Sequence, residues 1–145
     1  MVMTGWAMRR PPVFDEELAR WTIAGAPELQ FLRAELQRAA MSRSATAADG
    51  EDLAERLQIV ATELAGNALR HGRPPTVVVL HRSNGKLVID VLDGDAESGP
   101  AVADRRAAGA GGLGLLLSER LAEQVGWYPT GDGKLVWASF ALPAR

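Results

Sequence analysis

The chain contains no cysteine, which removes disulfides, thiol nucleophiles and thiolate metal centres from consideration. Its two histidines, His71 and His81, stand ten residues apart and make a poor metal site. Ser118 and these histidines lack the context of a nucleophile elbow, so no Ser-His-Asp hydrolase is indicated. No run approaches the ~20 apolar residues of a membrane span. The start, M-V-M-T-G-W-A-M-R-R-P-P, carries no continuous apolar segment of the signal-peptide kind, and a cytoplasmic protein is expected. Charge is nearly balanced, at -2, giving no reason to propose direct nucleic-acid binding or an anionic membrane as partner. What remains is 145 residues, 47% hydrophobic and 23% charged, the composition of one globular domain.

The centre of the sequence is E-L-A-G-N-A-L-R-H-G, Glu63 to Gly72. It closes a helical pattern in which Leu53, Leu57, Val60, Leu64 and Ala68 recur at spacings of three and four. Glu63 and Asn67 are four apart and share a face, with Arg70 a further turn along. Polar residues that border an apolar stripe are either solvated or line a pocket between the helix and its neighbour.

Before this helix, residues 1–14 form an extended arm, because Pro11 and Pro12 support neither helix nor sheet. The domain itself is expected to span 15–145. A strand is predicted over Leu18–Ala24, with Trp21 and Ile23 alternating against Arg20 and Thr22. Pro27 opens a helix whose apolar face is Leu29, Leu32, Leu36 and Ala39/Ala40, ending near Met41. Ser42–Gly50 reads as a connecting loop, and the central helix as beginning at Glu51 and Asp52. Gly72, Pro74 and Pro75 end that helix. Thr76–His81 and Lys86–Leu92 are β-branched, alternating runs joined by Asn84-Gly85, a strong hairpin signal. A Gly/Ala/Asp/Arg stretch follows, a lid loop at about 94–112 containing Arg105 and Arg106. A helix over Leu113–Gln124, with Leu113, Leu116, Leu117, Arg120 and Leu121 near one face, and a last hairpin at Thr130–Lys134 complete the chain. This order points to an α/β fold: an antiparallel or mixed sheet with helices on one face, the central helix walling a cleft under the lid.

G-A-G-G-L-G at 109–114 fits the letter of a dinucleotide fingerprint, but the preceding A-D-R-R-A-A is no strand. Glycines opening a helix either present backbone N–H groups to phosphate or serve as a hinge. Asp93, at a strand end, suits either a ligand-reading carboxylate or a turn.

Taken together these segments resemble the GHKL (Bergerat-fold) ATPases, and within them the small relatives of anti-sigma factor serine kinases. E-L-A-G-N-A-L-R-H-G is similar to that family's N-box, V-L-D-G-D to its first glycine box and G-L-G-L at 112–115 to its second. The ending W-Y-P-T-G-D-G-K-L-V-W-A-S-F resembles the terminal hairpin of these relatives. The resemblance implies a two-layer α/β sandwich, mixed but mostly antiparallel, that binds ATP and Mg²⁺. It implies Asn67 as the Mg²⁺ ligand, Glu63 as the general base toward an attacking hydroxyl, and Asp93 as acceptor for the adenine amino group. Gly109, Gly111, Gly112, Leu113 and Gly114 would form the phosphate-approaching turn, with Arg70 and His71 in contact roles. The implied activity is a protein serine kinase acting on an anti-sigma-antagonist-like protein and binding a sigma factor. A homodimer is left open. No dimerisation helix with a phosphoacceptor histidine precedes the ATPase-like part, so a sensor histidine kinase is not expected. Where the family's first glycine box reads D-x-G-x-G, this chain has D-G-D-A-E, placing Asp95 and Glu97 at the later glycines. Acidic side chains there resist close backbone approach and repel polyphosphate unless a cation compensates. A non-catalytic binding module with weak or no nucleotide affinity is the alternative.

Overall fold

The computed structural model describes residues 6–13, 15–95 and 112–142; for Gly112 and Leu113 it is the helical backbone that is described. Five strands and three helices follow in the order β1 (Glu16–Ile23), α1 (Ala26–Ser42), α2 (Ala47–His71), β2 (Thr76–Ser83), β3 (Lys86–Asp93), α3 (Gly112–Leu121), β4 (Gln124–Pro129) and β5 (Lys134–Ala141). The strands form one sheet in the order β1-β2-β3-β5-β4, and each neighbouring pair is antiparallel. The fold is a two-layer α/β sandwich, with a sheet more regular than the mixed one expected.

Local chemistry accounts for most boundaries. Glu28 accepts hydrogen bonds from the Gly25 and Ala24 amides at 2.8 and 3.3 Å, closing the start of α1 beside Pro27. Asn84 and Gly85 take φ of 51° and 82°, the left-handed pair that a tight β2–β3 turn requires. Most boundaries shift by a residue or two, β1 to Glu16–Ile23 and β2 to Thr76–Ser83 among them, and two shift further. The central helix begins at Ala47 rather than Glu51, because Thr46 Oγ1 accepts from the Asp49 amide at 3.1 Å and caps it. Gly50, read as loop, lies inside this helix, and a Cβ there would sit 2.8 Å from Met41 Sδ. The missing side chain is what lets α1 and α2 close on each other. The third helix ends at Leu121, and Gln124 already opens β4.

The core lies between the helices and one face of the sheet. Leu32, Leu36, Leu53, Leu57, Val60 and Leu64 from the helices meet Val78, Leu80, Leu87, Ile89, Val91 and Phe140 from the strands. On α3 the expected face is corrected. Leu115 and Ser118 are buried, whereas Leu116 and Leu117 are 37% and 42% exposed. Small residues mark the buried side: Gly114 lets α3 approach α2 closely at Glu63, and the buried Ser118 hydroxyl donates to the Gly114 carbonyl at 2.9 Å.

The other face of the sheet buries Val79, His81, Val88, Asp90 and Trp137, and the N-terminal arm crosses it. The arm forms a parallel bridge between Met8 and Trp127 on β4, through Arg9 N to Trp127 O (2.8 Å) and Trp127 N to Ala7 O (3.2 Å). Trp137 Nε1 then donates to Arg9 O at 2.9 Å, and the Ser83 hydroxyl donates to Val13 O. Trp6 enters the helix-side core at 5% exposure. Beneath the arm, His81 Nε2 lies 3.0 Å from Asp90 Oδ2, joining β2 to β3 on this buried face.

Candidate functional site

The site is assembled where α2, α3 and the end of β3 converge. On α2, Glu63 and Asn67 are half-buried and border Val60, Leu64 and Ala68 of the core stripe. Their side of the helix faces α3, which runs antiparallel to α2. At one end Arg56 donates to the Leu121 carbonyl at 3.5 Å, and at the other Gly114 lies against Glu63. A Cβ on Gly114 would fall 2.0 Å from Glu63 Oε2. The acidic side chain therefore occupies the space left by this glycine, within the first turn of α3. That turn carries backbone N–H groups with no intrahelical partner and the positive end of the helix dipole.

The other half of the site is held by β3. Asp93 is its last residue, and its carboxylate is 1% exposed. The end of α2 abuts it: a Cβ on Gly72 would lie 2.5 Å from Asp93 Cγ, and the Gly94 amide donates to Arg73 O at 2.6 Å. Gly72 and Gly94 thus draw the helix end and the strand end together, which places Asp93 about one turn beyond Asn67 along α2. Asp93 Oδ1 accepts from the Asp95 amide at 2.7 Å. Asp93 Oδ2 is buried without a hydrogen bond, although Lys134 Nζ stands 3.4 Å away.

Lys134, which reads in the sequence as part of a turn, belongs to this site. Asp93 and Lys134 are register partners across β3 and β5, so their side chains emerge side by side. The lysine is 6% exposed, and its Nζ is also 3.5 Å from Asp95 Oδ2. Asp95, expected to repel a polyphosphate unless a cation compensates, is paired with a lysine of the chain itself. A lysine opening an otherwise apolar strand is the available signal, but identifying its partner needs the β3–β5 register.

Of the other expected residues, Arg70 folds over Gly66, where a Cβ would sit 3.2 Å from a guanidinium nitrogen, and is exposed like His71. Gly112 opens α3, one residue ahead of the expected Leu113. Glu97, Arg105, Arg106, Gly109 and Gly111, and with them most of the lid loop, lie outside the described residues.

A helix presenting Glu and Asn one turn apart, a glycine-opened helix against the Glu, and a buried Asp at an adjacent strand end are thus parts of one surface. Residues 26–140 match the histidine kinase-like ATPase domain. The chain belongs to that family. As a histidine kinase-like ATPase domain it is an ATP-binding protein, and the matched region runs from the start of α1 almost to the end of β5. No curated protein matches the chain. Two features of the described residues bear on a nucleotide: Asp93 keeps a buried acceptor without a hydrogen bond, and Gly114 gives the Glu63 carboxylate its place at the start of α3. No helix among the described residues is long and apolar enough to cross a membrane.

Proposed function

We propose that this protein is an ATP-dependent protein serine kinase that regulates transcription by phosphorylating an anti-sigma-antagonist-like partner and binding a sigma factor, in the cytoplasm. The observation that carries the kinase part is the seating of the Glu63 carboxylate against Gly114, at the mouth of α3 and one turn from Asn67. The regulatory partners rest on the likeness of the N-box and terminal hairpin to the small anti-sigma kinases.

When bound, Mg-ATP supplies the phosphoryl group and the charge neutralisation that transfer needs. The chain's own residues then have distinct tasks. The Asn67 carboxamide oxygen is a hard donor suited to Mg²⁺. Glu63 accepts the proton of the attacking serine hydroxyl, and Gly114 leaves it room to stand there. The first turn of α3 offers N–H groups to the phosphates. Asp93 Oδ2 would be the acceptor for a hydrogen bond from the exocyclic amine of adenine.

Titrating Mg-ATP into the wild type and Asn67→Ala tests this reading. Micromolar binding that weakens about tenfold or more in the variant supports it, and phosphate appearing on a serine of a co-encoded partner completes it. Equal and negligible binding in both proteins would remove nucleotide-dependent phosphorylation. The second reading, a non-catalytic module with the same fold, is favoured by one observation: a buried ammonium already sits beside the carboxylate that would read the base.

A further inference from the structure

We propose that Lys134 sets the nucleotide affinity of this site by competing with the ligand's exocyclic amine for Asp93. The inference rests on the nucleotide reading above and adds a determinant to it. Asp93 Oδ2 is the acceptor left without a hydrogen bond, yet the Asp93 side chain is only 1% exposed. Nothing reaches that oxygen unless a neighbour moves. Among the described residues two neighbours stand against it. Gly72 closes on the carboxylate from the end of α2, where a Cβ would lie 2.6 Å from Oδ2, and this neighbour is backbone. The other is the flexible four-carbon chain of Lys134 ending in Nζ, 3.4 Å from Oδ2 and 3.5 Å from Asp95 Oδ2.

The charges explain why it stays. Two carboxylates so close together repel one another, and one buried ammonium between them lowers that repulsion more than a neutral amine can. A base amine arriving at Asp93 therefore exchanges with a charged donor rather than filling an empty place. Asp95, which departs from the glycine of related boxes, and Lys134 act as a matched pair: the acid helps to retain the cation that covers Asp93. The ligand's amino group then contributes little to affinity in the wild type, and most binding comes from the phosphate end. Removing Lys134 and Asp95 together takes away one cation and one anion, and leaves Asp93 open without changing the net charge.

The test compares ATP with purine riboside triphosphate, which lacks the exocyclic amine but carries the same phosphates, by calorimetric titration with Mg²⁺. In the wild type the two should bind within about threefold of each other. In Lys134→Met/Asp95→Gly, ATP should bind at least tenfold more tightly than in the wild type and at least tenfold more tightly than the analogue. A purely structural role for Lys134 would shift both ligands alike. Circular dichroism establishes that the double variant is folded; should it not be, Lys134→Gln carries the same comparison, since its amide can still donate to Asp95. The chain has two lysines, Lys86 and Lys134, so amine methylation followed by mass spectrometry gives a second readout. Saturating ATP should raise labelling of Lys134 and leave Lys86, paired with Glu123 on the surface, unchanged. If the wild type binds ATP and the amine preference does not grow in the variant, the inference is wrong while the nucleotide reading stands. If neither nucleotide binds any of the proteins, both are wrong.

Discussion

Gly114 and Gly133 present the same obstacle to a side chain and opposite surroundings. At each, a Cβ would meet an oxygen 2.0 Å away. For Gly114 that oxygen is the tip of the Glu63 side chain, which can swing aside. For Gly133 it is the backbone carbonyl of Asp93, fixed by the β3–β5 ladder. The two ends of the site differ in the same way. The α2–α3 end is made of half-buried side chains free to act on a ligand. The β3–β5 end is made of buried charges and close backbone, where function and stability share the same atoms.

Four substitutions sharpen or break this contrast, in order of expected loss of stability. Gly133→Ala, pressed against fixed backbone, should cost about 3 kcal/mol in urea denaturation. Lys134→Met leaves Asp93 and Asp95 without their cation and should cost about 2 to 3 kcal/mol, at the low end for a broken buried pair because Asp95 keeps 14% exposure. Gly114→Ala should cost about 1 kcal/mol or less, since Glu63 yields and alanine favours the helix. It should nevertheless slow phosphoryl transfer, because the displaced carboxylate is the proposed base. Glu63→Gln should move stability by no more than about 0.5 kcal/mol while lowering transfer by roughly 10²–10⁴-fold in a single-turnover assay. Finding Gly114→Ala as destabilising as Gly133→Ala would break the contrast, and so would a large stability loss in Glu63→Gln.

How much of this is legible in the sequence follows from how local each cause is. The Asn84-Gly85 turn, the Pro27 helix start and the α2 stop at Gly72 depend on residues within a few positions, and the structure places all three where the pattern predicts. The stacking of Glu63 and Asn67 needs only the helical repeat. The cap at Thr46 does not stand out, because the small polar residues around it serve a loop or a cap equally well. What excludes the loop is the contact of Gly50 with Met41. The α3 face misleads because its leucines outnumber the small residues that touch α2. Lys134 stands out only as a lysine opening an apolar strand, and its partner stays hidden because it is set by the register of two strands that pair Asp93 with a residue 41 positions later.

The arm described above ties residues 6–13 to the β4–β5 hairpin. Trp137 donates to Arg9 across 128 positions of sequence, and Met8 seats on β4. During folding these arm residues therefore wait, without their hydrogen-bond partners, until the β4–β5 hairpin has formed. Such distant closures slow folding because the loop entropy is lost before the contact forms. Once seated, the arm takes up the Trp127 N–H and C=O on the outer edge of β4, so that point of the edge is no longer a template for pairing with another chain.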